Sequence, residues 1–444
     1  MSITVPGGPS QQLDTDPGPL PVPAELLHVV DAMVEHRSGE LVYMRRWLHA
    51  RREVSRAEHE TTAALRERLI VEGLDPQVLA TGTGLICDIG TEGPLVALRA
   101  DIDALAMHDA KDVPYRSLHD GACHACGHDV HTAVVLGAGL VLRDLIQSGR
   151  LRGRIRLIFE PSEEAMPGGA LDVIAEGWLR GVSGVFGLHC DPKLDALALG
   201  CRIGPITSAS DHVAIRMSGP GGHTARPGLT VNLVAEAARV VVELPGAVQA
   251  AVDALDLPDD ALREIRMVFG TMHSGSAANV IPAEATLDAS LRTPDPRVSD
   301  ALPTIVPRVR AGLLDTDVRP GGVGHEGDRA DGLRWHLVHR RGVTAVVNDA
   351  EATRMMCRAA HAVGGAAAVR DTPHSWGGDT FGWYLDHAPG CYARLGTHWP
   401  DRAEKLDLHR PTFDVDERSV PFGTRTLVLT AIGWLAHLEE ESDG

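Results

Sequence analysis

The chain lacks several features that would assign it to whole classes of protein. It has no run of about 18 apolar residues, so no segment is expected to span a membrane. Positive charge is scarce: 42 Lys and Arg face 60 Asp and Glu. The formal net charge of −18, without a long basic run, argues against nucleic acid or an anionic membrane as partner. Residues 1–22 have neither a charged n-region nor an apolar h-region, so we expect a disordered leader rather than a signal peptide.

The bulk composition is that of an ordinary globular enzyme, with 44% hydrophobic and 23% charged residues. A length of 444 residues exceeds what one hydrophobic core usually supports, so we expect two domains. Seven cysteines, an odd number in a chain without export signals, favour a reduced cytoplasmic protein over a secreted, disulfide-linked one.

The densest group of metal-binding side chains lies at residues 123–133, Cys-His-Ala-Cys-Gly-His-Asp-Val-His-Thr-Ala. Its candidate ligands are Cys123, His124, Cys126, His128 and His131. Thiolate and imidazole are the donors that zinc and its first-row neighbours prefer. The small apolar residues that follow predict a helix beginning just after the ligands. The site would then lie at a strand-to-helix junction, where α/β enzymes commonly carry their chemistry.

Three short apolar runs end in polar residues and predict buried strands: 95–101, 154–160 and 184–189. Helical spacing occurs over 25–72, after His131 and near 169–179. Strands that alternate with helices indicate an α/β fold with a mostly parallel sheet.

The pattern changes near residue 208. The expected elements there are a strand at 211–218, a helix at 230–244, strands at 264–271 and 284–293, a helix at 297–314, a long Gly-rich loop at 320–332 and a strand at 333–339. They predict an inserted α+β, ferredoxin-like domain at 208–342. The α/β pattern then returns, with helices at 349–363 and 419–438. The catalytic domain is therefore expected in two parts, 23–207 and 343–444.

Further polar residues follow the predicted strands. Glu163 and Glu164 are adjacent carboxylates that point in different directions, so one can bind a metal while the other acts as a base. His189 ends a strand, His409 lies on a loop before the last helix, and Asp101 and Asp103 could orient ligands from behind. Each feature alone also has a plain structural explanation. A strand-end histidine is commonly structural, a Glu-Glu pair is commonly solvated, and the aspartates could be strand caps.

The order of the motifs along the chain favours the metal-binding interpretation of these residues over the structural one. They are 97–105 (Ala-Leu-Arg-Ala-Asp-Ile-Asp-Ala-Leu), 124–129 (His-Ala-Cys-Gly-His-Asp), 159–164 (Phe-Glu-Pro-Ser-Glu-Glu), 187–189 (Gly-Leu-His), 270–282 (Gly-Thr-Met-His-Ser-Gly-Ser-Ala-Ala-Asn-Val-Ile-Pro) and 408–409 (Leu-His). Together they closely resemble the aminoacylase and carboxypeptidase family of dinuclear metallopeptidases. The amidohydrolase branch, with bacterial aminoacylases, hippurate hydrolases and plant auxin-conjugate hydrolases, is most similar. The resemblance covers about residues 25–438.

The resemblance implies a metallohydrolase that binds two divalent ions, zinc or manganese, with cobalt or nickel as alternatives. The implied ligands are Cys126, His128, Glu164, His189 and His409. Glu163 would be the general base that takes a proton from a metal-bridging water and passes it to the leaving amine. Asp103 matches an acidic residue behind a ligand. Whether Cys126 bridges both ions stays open.

In the inserted domain, the resemblance implies a lid and dimerisation role. His223 would help to stabilise the oxyanion, in some relatives across a dimer interface, and Asn279 would contact the substrate. Arg292 would hold a substrate carboxylate with its guanidinium fork. The plain alternatives are a loop-capping role for His223 and an outward-facing strand position for Arg292.

The chain also departs from the family pattern. Ala106 stands where the family usually has Pro, and Gly378-Asp379-Thr380-Phe381 stands where the family has Glu-Asp-Phe, in a region that shapes the substrate pocket. Cys123 and Cys126 form a Cys-x-x-Cys pair that could be a redox pair or part of a zinc knuckle, but no second pair supports a knuckle. We therefore interpret Cys123 as incidental, and His124 and His131 as neighbours of the ligands.

The expected function is hydrolysis of the amide bond of an N-acyl amino acid or a related small amide, by a cytoplasmic homodimer that joins through the inserted domain. A dipeptidase or carboxypeptidase of the same family is the first alternative. A catalytically silent binding homologue is the second, and the complete set of implied ligands together with Glu163 argues against it.

Overall fold

A computed structural model describes residues 17–316, 319–321 and 324–443. The strands are β1 (Gln77–Val78), β2 (Leu85–Ile89), β3 (Leu95–Asp101), β4 (Arg154–Glu160), β5 (Val182–Asp195), β6 (Leu199–Cys201), β7 (Gly204–Pro205), β8 (Ala209–Ser218), β9 (Gly222–His223), β10 (Arg266–Ser274), β11 (Val280–Ile281), β12 (Glu284–Thr293), β13 (Arg319–Gly321), β14 (Gly324–Asp328), β15 (Arg334–Val343), β16 (Val347–Asn348), β17 (Val369–Asp371) and β18 (Gly390–His398).

The helices are α1 (Ala24–Ala50), α2 (His59–Val71), α3 (His128–Gln147), α4 (Ala170–Ala175), α5 (Leu233–Asp253), α6 (Pro296–Leu313), α7 (Ala350–Gly364), α8 (Phe381–Leu385) and α9 (Ser419–Asp443), with short 3₁₀ turns at Pro227–Leu229 and Ala366–Ala368. No helix among these described residues is long and apolar enough to cross a membrane.

The chain divides into two compact units. Within the described residues, the larger unit comprises 17–206, 346–373 and 380–443, and the smaller comprises 207–316, 319–321, 324–345 and 374–379. The sequence analysis assigns residues 374–379 to the catalytic domain, as part of 343–444. They group with the smaller unit because the Ser208 amide donates to the Gly377 carbonyl (2.9 Å) and Arg292 Nη1 donates to the Trp376 carbonyl (2.6 Å).

The larger unit is built on an eight-stranded sheet in the order β1-β2-β4-β3-β5-β18-β6-β17. Its central neighbours β4, β3, β5 and β18 run parallel. All seven side chains of β3 are buried, because helices such as α3 and α9 pack against this sheet. The prediction of an α/β fold with a mostly parallel sheet is confirmed. The carboxyl ends of β3 and β4 deliver Asp101 and Glu160 to one edge.

The smaller unit contains an antiparallel sheet in the order β10-β12-β8-β15-β14-β13, with α5 and α6 sharing its hydrophobic core. The alternating burial of β12 is that of a strand with one face against helices. The expectation of a long loop over 320–332 was wrong for 320–321, which belong to β13, and for 324–328, which form β14. Backbone pairing such as His325 with Leu337 of β15 makes this stretch a strand in spite of its glycines. Residues 322 and 323 lie outside the described residues.

Of the expected disordered leader, residues 1–16 lie outside the described residues. Pro17 accepts a hydrogen bond from Arg358 Nε (2.8 Å), and Leu20 and Val22 pack with the core of the larger unit.

Candidate metal centre

The ligand segment turns sharply at Gly127, between Cys126 and His128. Gly127 has a φ of 89°, and a Cβ there would lie 2.6 Å from the Cys190 sulfur. Only glycine combines this left-handed conformation with so close an approach. The turn starts α3 at His128 and brings the Cys126 sulfur to 3.4 Å from His189 Nε2. His189 lies in the buried middle of β5 rather than at the end of a strand as expected, because β5 continues to Asp195.

All five residues predicted as ligands come together in the larger unit. Ligand atoms of Cys126, His128 and His189 lie within 4.8 Å of one another, as do those of Cys126, Glu164 and His409. Glu164 Oε1 joins the two groups, at 3.8 Å from His128 Nε2 and 3.4 Å from His409 Nε2. The cluster thus collects soft and hard donors from residues 283 positions apart (Cys126 to His409).

Hydrogen bonds on the far side of the imidazole rings turn their Nε2 atoms toward the cluster. His128 Nδ1 donates to the carbonyl of Asp103 (2.9 Å), and His189 Nδ1 donates to the carbonyl of Cys190 (2.8 Å). Carbonyl oxygens only accept, so each Nδ1 carries the proton and each Nε2 presents a lone pair. This is the arrangement found behind metal-binding histidines.

The donor set fits divalent cations. His128 Nε2 and Glu164 Oε1 are buried and have no hydrogen-bond partner among the described residues, although buried polar atoms are normally satisfied. Burial raises the pKa of the Cys126 thiol, an effect that a bound divalent ion reverses by stabilising the thiolate. A thiolate, imidazoles and a carboxylate suit zinc and also accommodate other first-row ions.

Asp103 connects two of the predicted ligands. One carboxylate oxygen lies 3.2 Å from His128 Nδ1, and the other accepts from the Glu164 amide (3.0 Å) and from the Ser55 hydroxyl (2.6 Å). Burial raises the pKa of Asp103, but the hydrogen bond from His128 and the others outweigh it and hold that pKa below its ordinary value. Asp103 is therefore an anion that orients both ligands.

His409 is held in an unusual backbone conformation. Its φ is 58°, which is uncommon outside glycine, and its amide donates to the Ala125 carbonyl (2.8 Å). The side chain is 54% exposed. The Glu164 carboxylate, whose Oε1 lies 3.4 Å from His409 Nε2, raises the pKa of His409. Backbone strain of this kind gathers at functional sites, and here it brings a loop histidine next to Cys126 and Glu164.

Glu163 lies beside the cluster without being one of the five predicted ligands. One of its carboxylate oxygens lies within 4.8 Å of ligand atoms of His128 and Glu164. Its Oε1 also accepts a hydrogen bond from the Thr380 amide at 3.3 Å. Glu163 thus has a backbone partner, Thr380, and lies close to two of the predicted ligands.

The other residues of the 123–133 segment have different neighbours. Both ring nitrogens of His131 are engaged, with Asp101 Oδ1 (2.6 Å) and with the Cys190 amide (2.8 Å). His124 is buried with neither ring nitrogen paired among the described residues, and burial lowers its pKa to about 3. Cys123 lies 3.4 Å from Lys111 Nζ.

The sequence analysis did not predict a buried network of charged side chains between α1 and the first turn of α3. Arg45 and His49, on α1, are fully buried and both contact Asp129 Oδ2 at 2.8 Å. The signal was weak, because their charges resemble an exposed helix face. Thr380, whose amide contacts Glu163, was noted only as a departure from the family pattern.

The three site residues predicted in the inserted domain, one to stabilise the oxyanion and two to bind substrate, lie in the smaller unit. His223, exposed on β9, accepts a hydrogen bond from the Ala225 amide through Nδ1 (3.0 Å). Asn279 accepts a backbone hydrogen bond from Thr224 (3.2 Å) in the ribbon where β9 pairs with β11. Arg292 is half-buried, and burial lowers its pKa. Its Nη1 is already engaged by the Trp376 carbonyl.

The model of peptidase family M20/M25/M40 matches residues 97–432. A longer protein of Rhodococcus jostii (strain RHA1), whose name describes a glutamate–cysteine ligase, is 39% identical over 404 residues, 91% of this chain. The chain spans only 47% of that protein.

Two further matches extend over most of both partners. N-acetyl-L-cysteine deacetylase of Bacillus subtilis (strain 168) is 34% identical over 86% of this chain and 85% of its own length. The solved structure of the Bacillus subtilis YXEP protein, described as a dinuclear metal-binding peptidase of the M20 family, superposes with a TM-score of 0.73. It is 27% identical and covers 90% of this chain and 99% of that one.

Proposed function

The chain belongs to peptidase family M20/M25/M40, and on that premise we propose that it hydrolyses the amide bond of an N-acyl amino acid to a carboxylic acid and an amino acid. The observation that carries the proposal is the convergence of Cys126, His128, Glu164, His189 and His409 beside a separate carboxylate, Glu163. A structural metal site would not need the extra base. The names of relatives, among them a deacetylase of an N-acylated amino acid, agree with this reaction class.

The five clustered residues would hold two divalent cations, zinc or manganese, with cobalt or nickel as alternatives. When bound, such ions lower the pKa of a nucleophilic water and polarise the amide carbonyl. The unpaired atoms His128 Nε2 and Glu164 Oε1 support this assignment. Asp103 keeps His128 in the tautomer that a cation requires.

Glu163 would act as the general base. A carboxylate next to the ligands can take the proton of the attacking water and return it to the leaving amine, a transfer worth about 10²–10⁴-fold in rate. The Thr380 amide holds one carboxylate oxygen at 3.3 Å. His223 would stabilise the negative charge that develops on the carbonyl oxygen.

The amino acid part of the substrate would be held by Arg292 and Asn279. Arg292 keeps one guanidinium nitrogen on the Trp376 carbonyl, and no other partner for it occurs among the described residues. The remaining N–H groups suit a carboxylate. A dipeptide also ends in a carboxylate, so a dipeptidase or carboxypeptidase of this family is the second candidate.

A homodimer formed through the smaller unit is part of the proposal. β10 is an edge strand of its sheet, and Val268 on it is 63% exposed. Val242 on α5 is 78% exposed and Leu229 is 80% exposed. An edge strand with apolar side chains favours pairing with another strand, and a second copy offers the same surface. Whether His223 acts in its own chain or across that interface would follow from a dimer structure.

A reducing compartment such as the cytoplasm also belongs to the proposal. All seven cysteines are free thiols and buried. Disulfides persist mainly in oxidising compartments, so seven unpaired thiols suit a reducing one.

Metal analysis together with a substrate panel tests the proposal. Purified protein is assayed with N-acetyl and N-benzoyl amino acids and with dipeptides after addition of Zn²⁺, Mn²⁺ or Co²⁺. We expect about two ions per chain and faster turnover of N-acyl amino acids than of dipeptides. Less than one ion per chain, with no turnover of any substrate, would overturn the enzyme assignment.

Glu163→Ala separates the base from the ligands. Because Glu163 is not among the five clustered ligands, this variant should keep both ions and lose nearly all turnover, about 10²–10⁴-fold. Glu164→Ala is the matched control, since removal of the neighbouring carboxylate should lower the metal content as well. An active Glu163→Ala enzyme would remove Glu163 from the base role.

A further inference from the structure

Thr380 lies in a buried hydrogen-bonded cluster of the larger unit. Its hydroxyl accepts from Arg99 Nη2 (2.8 Å) and donates to Glu160 Oε1 (2.7 Å). Thr380 and Glu160 are fully buried and Arg99 is 1% exposed. The single hydroxyl proton is thus used by Glu160, and the orientation of the Thr380 side chain is fixed from two sides.

The partners of Thr380 are themselves held rigidly. Arg99 donates through Nε to Glu160 Oε2 (2.6 Å) and through Nη1 to Asp101 Oδ2 (2.6 Å), so its planar fork has three partners. The Tyr384 hydroxyl also donates to Glu160 (2.9 Å). Satisfied buried networks of this kind restrict their members to one arrangement.

The loop that carries Glu163 closes against the same threonine. A Cβ on Gly168 would lie 2.6 Å from the Thr380 methyl carbon, so only glycine allows the loop to approach so closely. At that point the Thr380 amide donates to Glu163 Oε1 at 3.3 Å. Thr380 therefore contacts the carboxylate through its backbone while its side chain is anchored in the cluster.

The position of a general base decides its rate contribution, since displacement of about 1 Å can cost about 10²-fold. A backbone amide that donates to a carboxylate oxygen restricts the orientation of that carboxylate when the amide itself is held in place. Contacts that fix the position of Thr380 therefore also restrict the orientation of the Glu163 carboxylate.

We propose that Thr380 is a positioning residue, whose hydroxyl, held between Arg99 and Glu160, fixes the backbone amide that orients Glu163 for proton transfer. This inference rests on the proposed function, because it needs Glu163 as the base. It assigns a role to a position where the chain departs from the family pattern.

The test compares Thr380→Val, which keeps the shape but removes the hydroxyl, with Thr380→Ser, which keeps the hydroxyl. We expect Val to lower kcat about 10–100-fold with KM changed less than about threefold, and Ser to restore kcat to within about threefold of wild type. Metal content should equal that of wild type in both. Thr430→Val is the matched control: Thr430 is equally buried, its hydroxyl donates to the Thr426 carbonyl (2.7 Å) in α9, and its loss should leave kcat unchanged.

If Thr380→Val does not fold, Thr380→Ala carries the same expectation, because it leaves room for water to satisfy Arg99 and Glu160. Wild-type kcat in the hydroxyl-free variant, a Ser variant as slow as the Val variant, or an effect on KM alone would each overturn the inference. Those results are distinct from failure of the proposed function, in which wild type itself is inactive or Glu163→Gln stays active.

Discussion

Replacement of Asp103 by Asn should weaken metal binding without removing a ligand. The carboxylate of Asp103 contacts His128 Nδ1 (3.2 Å) and accepts from the Glu164 amide (3.0 Å) and the Ser55 hydroxyl (2.6 Å). Asn has the same shape but no charge, and its NH₂ group faces one of these donors. Residues that hold ligands from behind typically contribute 10–100-fold to metal affinity, or about 1.4–2.7 kcal/mol.

The structure narrows the expected size of this effect. The backbone carbonyl of Asp103 still accepts from His128 Nδ1 at 2.9 Å, so the ring keeps its orientation in the variant. What is lost is the negative charge behind the imidazole and the bond that places Glu164. We therefore expect a loss of affinity near the lower end, about 10–30-fold for the weaker ion.

Competition with a chelator of known affinity measures both dissociation constants. Ser55→Ala is the control, since it removes one neutral donor from Asp103 and should cost about 1 kcal/mol of stability while metal affinity changes less than about threefold. Wild-type affinity in Asp103→Asn would refute the reasoning, because it would show that the Asp103 carboxylate does not support the ligands.

Two further predictions concern buried charges. Burial disfavours the imidazolium of His49, but Asp129 and Asp109 outweigh this and raise its pKa to about 9. A raised pKa means that its contribution, roughly 3 kcal/mol, is complete below about pH 6.5 and is lost as the pH rises through about 9. In urea unfolding, the stability deficit of His49→Gln should therefore be large at about pH 6 and small at about pH 10, whereas a constant deficit would contradict this. Arg310 is fully buried, stacks on Trp335 at 4.1 Å and has no hydrogen-bond partner among the described residues, so Arg310→Met should be neutral or stabilising by about 1–4 kcal/mol. A loss above about 2 kcal/mol in thermal unfolding would show that the guanidinium does find a strong partner.

Much of the fold follows from local patterns in the sequence. The apolar runs that become β3 and β4 end at acids because both faces of the parallel sheet are buried while its carboxyl edge is polar. The mostly parallel sheet and the family were predicted and are confirmed. β14 was missed, because its pairing with β15 depends on backbone hydrogen bonds that a Gly-rich segment does not reveal.

The site could be predicted from the sequence because its residues are of metal-binding types and because their motifs occur along the chain in the order of the family. His409 was named as a ligand only through the resemblance, since no local pattern connects it with the segment at 123–133. The roles of the site residues stay predictions. The contacts of Thr380 with Arg99 and Glu160 could not be foreseen, because threonine has no distinctive chemistry and its partners lie 281 and 220 positions away.

The carboxylates beside the five predicted metal ligands outnumber the positively charged side chains that contact them. The carboxylates are Asp101, Asp103, Glu160, Glu163 and Glu164, and the guanidinium of Arg99 pairs with two of them, Asp101 and Glu160. Asp101, Asp103 and Glu160 are fully buried. Gathering acids away from water costs free energy, and a single guanidinium that pairs with two of them leaves this group with an excess of negative charge. Stability alone would favour apolar replacements. Two divalent cations would supply the positive charge that Arg99 does not, so the excess of carboxylates supports the proposal that this edge of the sheet binds metal ions.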